Sequence, residues 1–428
     1  MKLTIHRGTH EIGGSCVEVT AGSTRIVVDV GLPLEKPGVD AACEDALANE
    51  RIAAVFKKSP PVAAVLLSHA HLDHSGLLGL VPASVPVYCS EGTSMMMEAS
   101  SKYARQKDVP AKRILKEREP QQIGNIQVTG HPVDHSVFGS MALELEADGQ
   151  RVLYSGDFRL HGRKPGMVEA LAAWLSGKTI DVLLIEGTHI SDCRSGPTEE
   201  ALEETILADI KSAPGLVLAS FSPPNVDRLV GFYKAARDAH RILALDHYAG
   251  FVLQLVSEIA KVPPPSKGNN IAVFRPQWQK LIPEVERYFE GAQISIDEVV
   301  RNPLRYVMLF RPTMLARDFS GGLPKGVRCI YSFWSGYLDE EEWRSTRSQI
   351  NLAGGDLIER HTSGHIFRDH LPVFLGQIKY RRLIPMHTEA PEEFERLFQN
   401  VRLLADGEEL DLSCQPPCDD SRKRISLA

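Results

Sequence analysis

Short aliphatic runs, broken by small or turn-forming residues, set the texture of this chain, and several stop at a histidine or an acid. Val62-Ala63-Ala64-Val65-Leu66-Leu67, preceded by a proline pair, reads as a buried strand. Residues 15–19 and 24–29 flank Ala21-Gly22-Ser23 and read as a hairpin. Further strands are predicted over 85–89, 126–129, 151–154 and 181–185. A helix is predicted from Leu77, and another from Glu91 to about Gln106, whose methionine triplet suits a core. From about Pro197 helices alternate with strands: helix 198–211, strand 215–220, helix 225–237, strand 241–245. That rhythm predicts a parallel sheet with helices on its faces. The proline-rich 262–266 reads as a surface loop, followed by strand 328–333 and a charged helix over 339–347. The tail returns to strands at 357–361 and 382–386, with a helix of about ten residues from about Phe367.

Candidate chemistry collects where these strands end. Ser68-His69-Ala70-His71-Leu72-Asp73-His74-Ser75-Gly76 places four metal-binding side chains within six positions, directly behind a strand. Imidazoles at alternate positions can reach one ion, and the Asp-His that follows can reach a second beside it. His135 and Asp157 follow two further strands, each flanked by small residues that permit close backbone approach. Taken singly, a buried hydrogen-bonded histidine or a turn aspartate is the default for each. Together with the first cluster they supply a third imidazole and a carboxylate able to bridge two ions. Asp29, at the end of the second hairpin strand, is expected to orient this site rather than ligate. Glu186, His365 and His387 also close predicted strands or their loops.

Bulk composition narrows the classes. With 428 residues, 43% hydrophobic and 24% charged, this is an ordinary globular chain of two domains, or one carrying an insert. A net charge of −7 argues against a sequence-independent DNA coat, but not against a nuclease with a local basic groove. Seven scattered cysteines without a CxxC point to reducing cytoplasm, and Cys414 and Cys418 read as incidental thiols. No uncharged apolar run is long enough to span a bilayer, and the charged residues from Asp419 suggest a frayed end.

With these residues in view, the pattern resembles the metallo-β-lactamase superfamily. More narrowly it is similar to the β-CASP nucleases, the RNase J-like and polyadenylation-endonuclease group. The resemblance rests on His69-x-His71-x-Asp73-His74, His135, Asp157, Glu186, His365 and His387 in that order. It implies an α/β chain with an αββα sandwich over 1–200 and 351–428 and an inserted β-CASP domain over 201–350. It further implies that His69, His71 and His135 hold one zinc, that Asp73, His74 and His387 hold the other, and that Asp157 bridges them. Manganese suits the same ligands. Asp73, Glu186 and His365 are the implied catalytic set, with Glu186 keeping His365 protonated toward the scissile phosphate.

Thr362-Ser363-Gly364 offers a hydroxyl and backbone N–H groups at Ser363 and Gly364 for a phosphate. Ser220, Ser222, Asn225 and Arg228 are similar to a Ser-Asn-x-x-Arg stretch of RNase J-type proteins, with two prolines intruding. Helix capping explains Ser220, Ser222 and Asn225 equally well, and Arg228 suits an ordinary ion pair. The implied activity is metal-dependent hydrolysis of phosphodiesters. Single-stranded RNA is the favoured substrate, because DNA-directed relatives tend to be aliphatic where this chain has His387. A DNA nuclease, a non-catalytic scaffold subunit and a small ester hydrolase are the alternatives. The chain ends soon after His387, so a homodimer or another protein partner stays open.

Overall fold

The computed structural model describes residues 1–34, 41–104, 112–320 and 322–413. Gln106, Cys414, Cys418 and the tail from Asp419 lie outside them. Two mixed sheets face each other. The first runs in the order Glu409–Asp411, Lys2–Arg7, Cys16–Ala21, Thr24–Val28, Val62–Leu66, Val87–Cys89, Lys112–Ile114. The second runs Leu383–Met386, Val182–Glu186, Gln150–Tyr154, Met141–Ala147, Ile126–Pro132, Gln121–Ile123. Aliphatic side chains alternating along both, among them Ile26, Leu66, Val128, Leu143 and Ile384, form one core between them. The helix Glu91–Tyr103 covers the outer face of the first sheet, and Gly166–Leu175 covers that of the second. This is the αββα sandwich, with strands from both ends of the chain.

The third sheet is wholly parallel: Ile271–Phe274, Ile242–Asp246, Tyr306–Leu309, Val217–Ser220, Arg328–Tyr331, Asp356–Glu359. Apolar runs buried on both faces and intervening helices give this arrangement, as the βαβ rhythm predicts. One expected boundary moves. The helix Glu341–Leu352 returns the chain to pair Asp356–Glu359 with Arg328–Tyr331, so this sheet extends past residue 350. The predicted helix from Leu77 also differs. A single helical turn already spans Leu72–Ser75, and only a 3₁₀ turn, Leu78–Leu80, follows before Pro82.

The inserted sheet is fastened to the sandwich. The helix His247–Ile259 lies against Glu91–Tyr103, and Phe251, Val252 and Leu255 share a core with Met96 and Met97. Among the described residues, no helix is long and apolar enough to cross a membrane.

Candidate metal centre

Strand direction gathers the predicted residues at one edge. Gln150–Tyr154, Val182–Glu186 and Leu383–Met386 run parallel in register, so Asp157, Glu186 and His387 emerge at the same end. Ile126–Pro132 points the same way across the antiparallel Met141–Ala147 and delivers His135. From the facing sheet Val62–Leu66 delivers His69 and His71, and the turn Leu72–Ser75 delivers Asp73 and His74.

With His365, their donor atoms form three overlapping groups, His69–His71–His135, Asp73–His74–Asp157–His387 and Asp157–Glu186–His365–His387, each within 4.8 Å among the described residues. Asp157 is shared by the last two, and its Oδ2 is 3.2 Å from His74 Nε2, 3.6 Å from His69 Nε2 and 3.8 Å from His387 Nε2. His387 Nε2 is 3.2 Å from Asp73 Oδ2, and His135 Nε2 is 3.2 Å from His71 Nδ1.

The outer ring atoms are already committed. His74 Nδ1 meets Asp29 at 2.7 Å, and Asp29 also accepts from Ser68 and Tyr154, the orienting place expected of it. His69 Nδ1 meets Ser68 Oγ at 3.0 Å and His387 Nδ1 meets Thr188 Oγ1 at 3.0 Å. His135 Nδ1 donates to the Gly364 carbonyl at 2.6 Å. Such contacts fix the tautomer and turn the other nitrogen inward.

Inward, the accounting fails: buried His69 Nε2, His74 Nε2 and Asp157 Oδ2 have no hydrogen-bond partner. A native fold rarely leaves three such atoms facing each other, and a cation satisfies them all. Burial, followed by neighbouring imidazoles, holds His69 and His135 well below the ordinary histidine range and pulls His71 down to about 4. Neutral imidazole is the ligating form. Burial opposes ionising Asp157, but His387, His74 and His365 around it hold its carboxyl far below the usual range. The donor set of imidazoles and carboxylates fits divalent transition metals. His387 itself sits at φ 51°, a strained conformation for a non-glycine residue, with its N–H donating to the Gly8 carbonyl at 2.8 Å.

Residues 24–216 match the model of the beta-lactamase superfamily domain. The chain is 24% identical to "Ribonuclease J" of Sinorhizobium meliloti over 379 residues, covering 85% of this chain and 64% of that protein. It is 30% identical to an "RNase J-like protein" of Methanocaldococcus jannaschii over 224 residues, 49% of this chain and 47% of that one. It therefore spans less than two thirds of either relative. Residues 24–216 thus carry the likeness to the beta-lactamase superfamily, and the chain as a whole is similar to RNase J-type proteins. A crystal structure of a protein of unknown function from Enterococcus faecalis shares the fold, with a TM-score of 0.77, 22% identity, and coverage of 96% and 99% of the two chains.

Glu186 and His365 stand against the cage. His365 Nδ1 is 3.1 Å from Glu186 Oε2 and 3.7 Å from Asp157 Oδ2. Burial pulls this imidazole down, but Glu186 and Asp157 outweigh it and push it up to about 9. Ser363 Oγ accepts from the His365 N–H at 3.1 Å and meets His189 Nε2 at 2.7 Å. Gly364 has no room for a side chain, since a Cβ would lie 2.4 Å from Ser136 Oγ and 3.0 Å from His135 Cε1.

The second predicted substrate group is not brought to this edge as a unit. Arg228 is fully buried, with its guanidinium on Glu199 at 3.0 and 3.2 Å and also on Ser332. Those bonds leave it no face for a phosphate. Asn225 Oδ1 caps its own helix by accepting from the Arg228 N–H at 3.1 Å. Ser222 is half-buried, its carbonyl accepting from the Asn225 N–H at 2.9 Å, and buried Ser220 borders a cavity in the third sheet. The ordinary cap and ion-pair readings describe Asn225 and Arg228.

Two participants carry no motif signal. Thr188 Oγ1 bridges His365 Nδ1, at 3.2 Å, and His387 Nδ1. Arg159, fully buried, joins Asp134, Glu199 and Asp227 and donates to the Ser363 carbonyl. The only local hint is their position, two residues beyond Glu186 and Asp157.

Proposed function

We propose that this chain hydrolyses phosphodiester bonds in single-stranded RNA, using two zinc ions, with manganese able to take their place. His69, His71 and His135 would hold one ion, Asp73, His74 and His387 the other, and Asp157 both. When bound, such ions supply a Lewis acid for the phosphoryl oxygens and lower the pKa of water toward neutrality. The observation that carries the reading is the pair 3.1 Å apart beside Asp157 and His387, Glu186 and His365.

Held by Glu186, the His365 imidazolium has a proton to give. Its ring is partly exposed, so it can reach a leaving oxygen opposite the attacking water. Asp73, touching His387 at 3.2 Å, keeps that imidazole turned into the cage. Ser363, gripped by His189 and the His365 N–H, offers its hydroxyl edge to a phosphate oxygen, and Gly364 lets the chain approach that closely. Divided by sheets, the sandwich would comprise about 1–200 and the stretch from about 360, with the β-CASP domain between. The relatives named as ribonucleases, together with His387, support RNA over DNA. Free Cys16, Cys89, Cys193 and Cys329, among the described residues, support a reducing compartment such as the cytoplasm.

Replacing His365 by Ala with metal retained should lower kcat by roughly 10²–10⁴-fold. Near-normal turnover would end the acid assignment. Matched RNA and DNA strands, labelled at the 5′ or the 3′ end, test substrate class and polarity together. Cleavage of DNA alone would overturn the preference for RNA.

A further inference from the structure

The loop after strand Arg328–Tyr331 carries two bare aromatic rings that the chemistry above leaves unused. Trp334 is 63% exposed and Tyr337 47%. Their neighbours are anchored. The buried Tyr331 donates its hydroxyl to the Trp334 carbonyl at 2.8 Å, and Phe333 turns into a cavity of about 380 Å³ beside Arg311 and Trp343. The two bare rings are also held in place. Their centroids are 5.4 Å apart at 90°. A Cβ on Gly336 would come within 2.3 Å of Trp334 Cη2 and Cζ3, so the indole lies directly on that glycine's backbone.

The loop leaves the third sheet beside the segment that leads to the cage. Tyr331 pairs with Glu359 in adjacent parallel strands, and beyond Glu359 the chain leads to Ser363 and His365. The two exits stay tied, through His361 Nδ1 to the Ser332 carbonyl at 3.3 Å and the Arg360 N–H to the Tyr331 carbonyl at 2.8 Å.

We propose that Trp334 and Tyr337 form a rigid stacking platform for unpaired bases of the strand whose phosphate enters the cage. This rests on the phosphodiesterase reading. A flat, pre-set ring suits a base, because every base has a π-face and stacking tolerates any sequence. Two rings are too small an apolar patch to hold a protein partner unaided. The platform would add unpaired-strand preference to a cage that by itself recognises only phosphate and metal-binding groups.

The test compares kcat/KM of the metal-loaded protein on an oligoadenylate and on an abasic ribose-phosphate chain of equal length. The wild type should favour the oligoadenylate at least tenfold, and the double variant Trp334→Ala, Tyr337→Ala should bring the ratio to about one. Trp334→Phe and Tyr337→Phe, which keep flat rings, should retain most of it, while Gly336→Ala, which displaces the indole, should lose part. An unchanged ratio in the double variant overturns the platform while leaving the phosphodiesterase reading intact. So does a wild-type ratio near one, or a double variant altered only in oligomeric state. A wild type that cleaves neither chain sinks the parent reading and the platform with it.

Discussion

Two buried polar clusters lie side by side in this molecule, and they are built on opposite rules. Around Arg159 and Arg228 every charge is answered: Asp134, Glu199 and Asp227 take the guanidinium donors, and backbone carbonyls take those left over. Around Asp157 the outer atoms are answered and the inner ones are not. The first pattern is a fastener between the sandwich and the insert, since Arg159 belongs to one and Asp227 and Arg228 to the other. The second is a receptacle. Buried charge by itself does not mark a site; unanswered buried polarity converging on a point does.

The sharpest way to break this contrast is to exchange the clusters' vulnerabilities. Asp157→Ala should empty the receptacle, lowering turnover by roughly 10³-fold or more and removing bound metal by elemental analysis. Glu199→Gln should do the reverse. It strips two buried guanidinium groups of their carboxylate and should cost about 3–5 kcal/mol in denaturant unfolding, while the folded fraction keeps its metal. Metal loss at Glu199→Gln, or a purely conformational loss at Asp157→Ala, would merge the two clusters into one kind.

Acid probes the fastener at a finer scale. Burial opposes ionisation of Glu199, but Arg228 and Arg159 hold its carboxyl down to about 2. The unfolded chain takes up this proton below ~4.5 and the folded chain only near 2, so stability is full above ~4.5 and falls as pH drops between the two values. That single group should contribute ~3 kcal/mol at neutral pH. The stability advantage of wild type over Glu199→Gln should shrink by about 2 kcal/mol between pH 6 and pH 3, with the remainder lost only below pH ~2, and an advantage that does not change with pH would contradict it. The smallest effect expected is at Gly364→Ala. Its Cβ crowds Ser136 and His135, at about 1–3 kcal/mol.

The contrast also explains what the chain discloses before folding. The cage was legible because its ligands close strands and stand among small residues, a local pattern. Glu186, His365 and His387 were legible only through family likeness, since Glu186 and His387 meet through parallel strands in register and His365 arrives from the third sheet. Asn225 and Arg228 misled because a Ser-Asn-x-x-Arg-like spacing also describes a capped helix with a buried arginine; what decides is Glu199, a partner 29 residues away. The sheet's last strand was misplaced for a similar reason. Leu357-Ile358 looks alike on either side of a domain boundary, and only its pairing with Cys329 and Ile330 assigns it. Thr188 is one hydroxyl, with nothing in its spacing to single it out.

The most direct test is to strip the purified protein with a chelator, reload it with zinc or manganese, and follow metal content and RNA cleavage together. About two ions should be held per chain, with cleavage vanishing on stripping and returning in step with loading. A protein that retains no divalent ion, or that cleaves RNA equally well when stripped, would contradict that expectation.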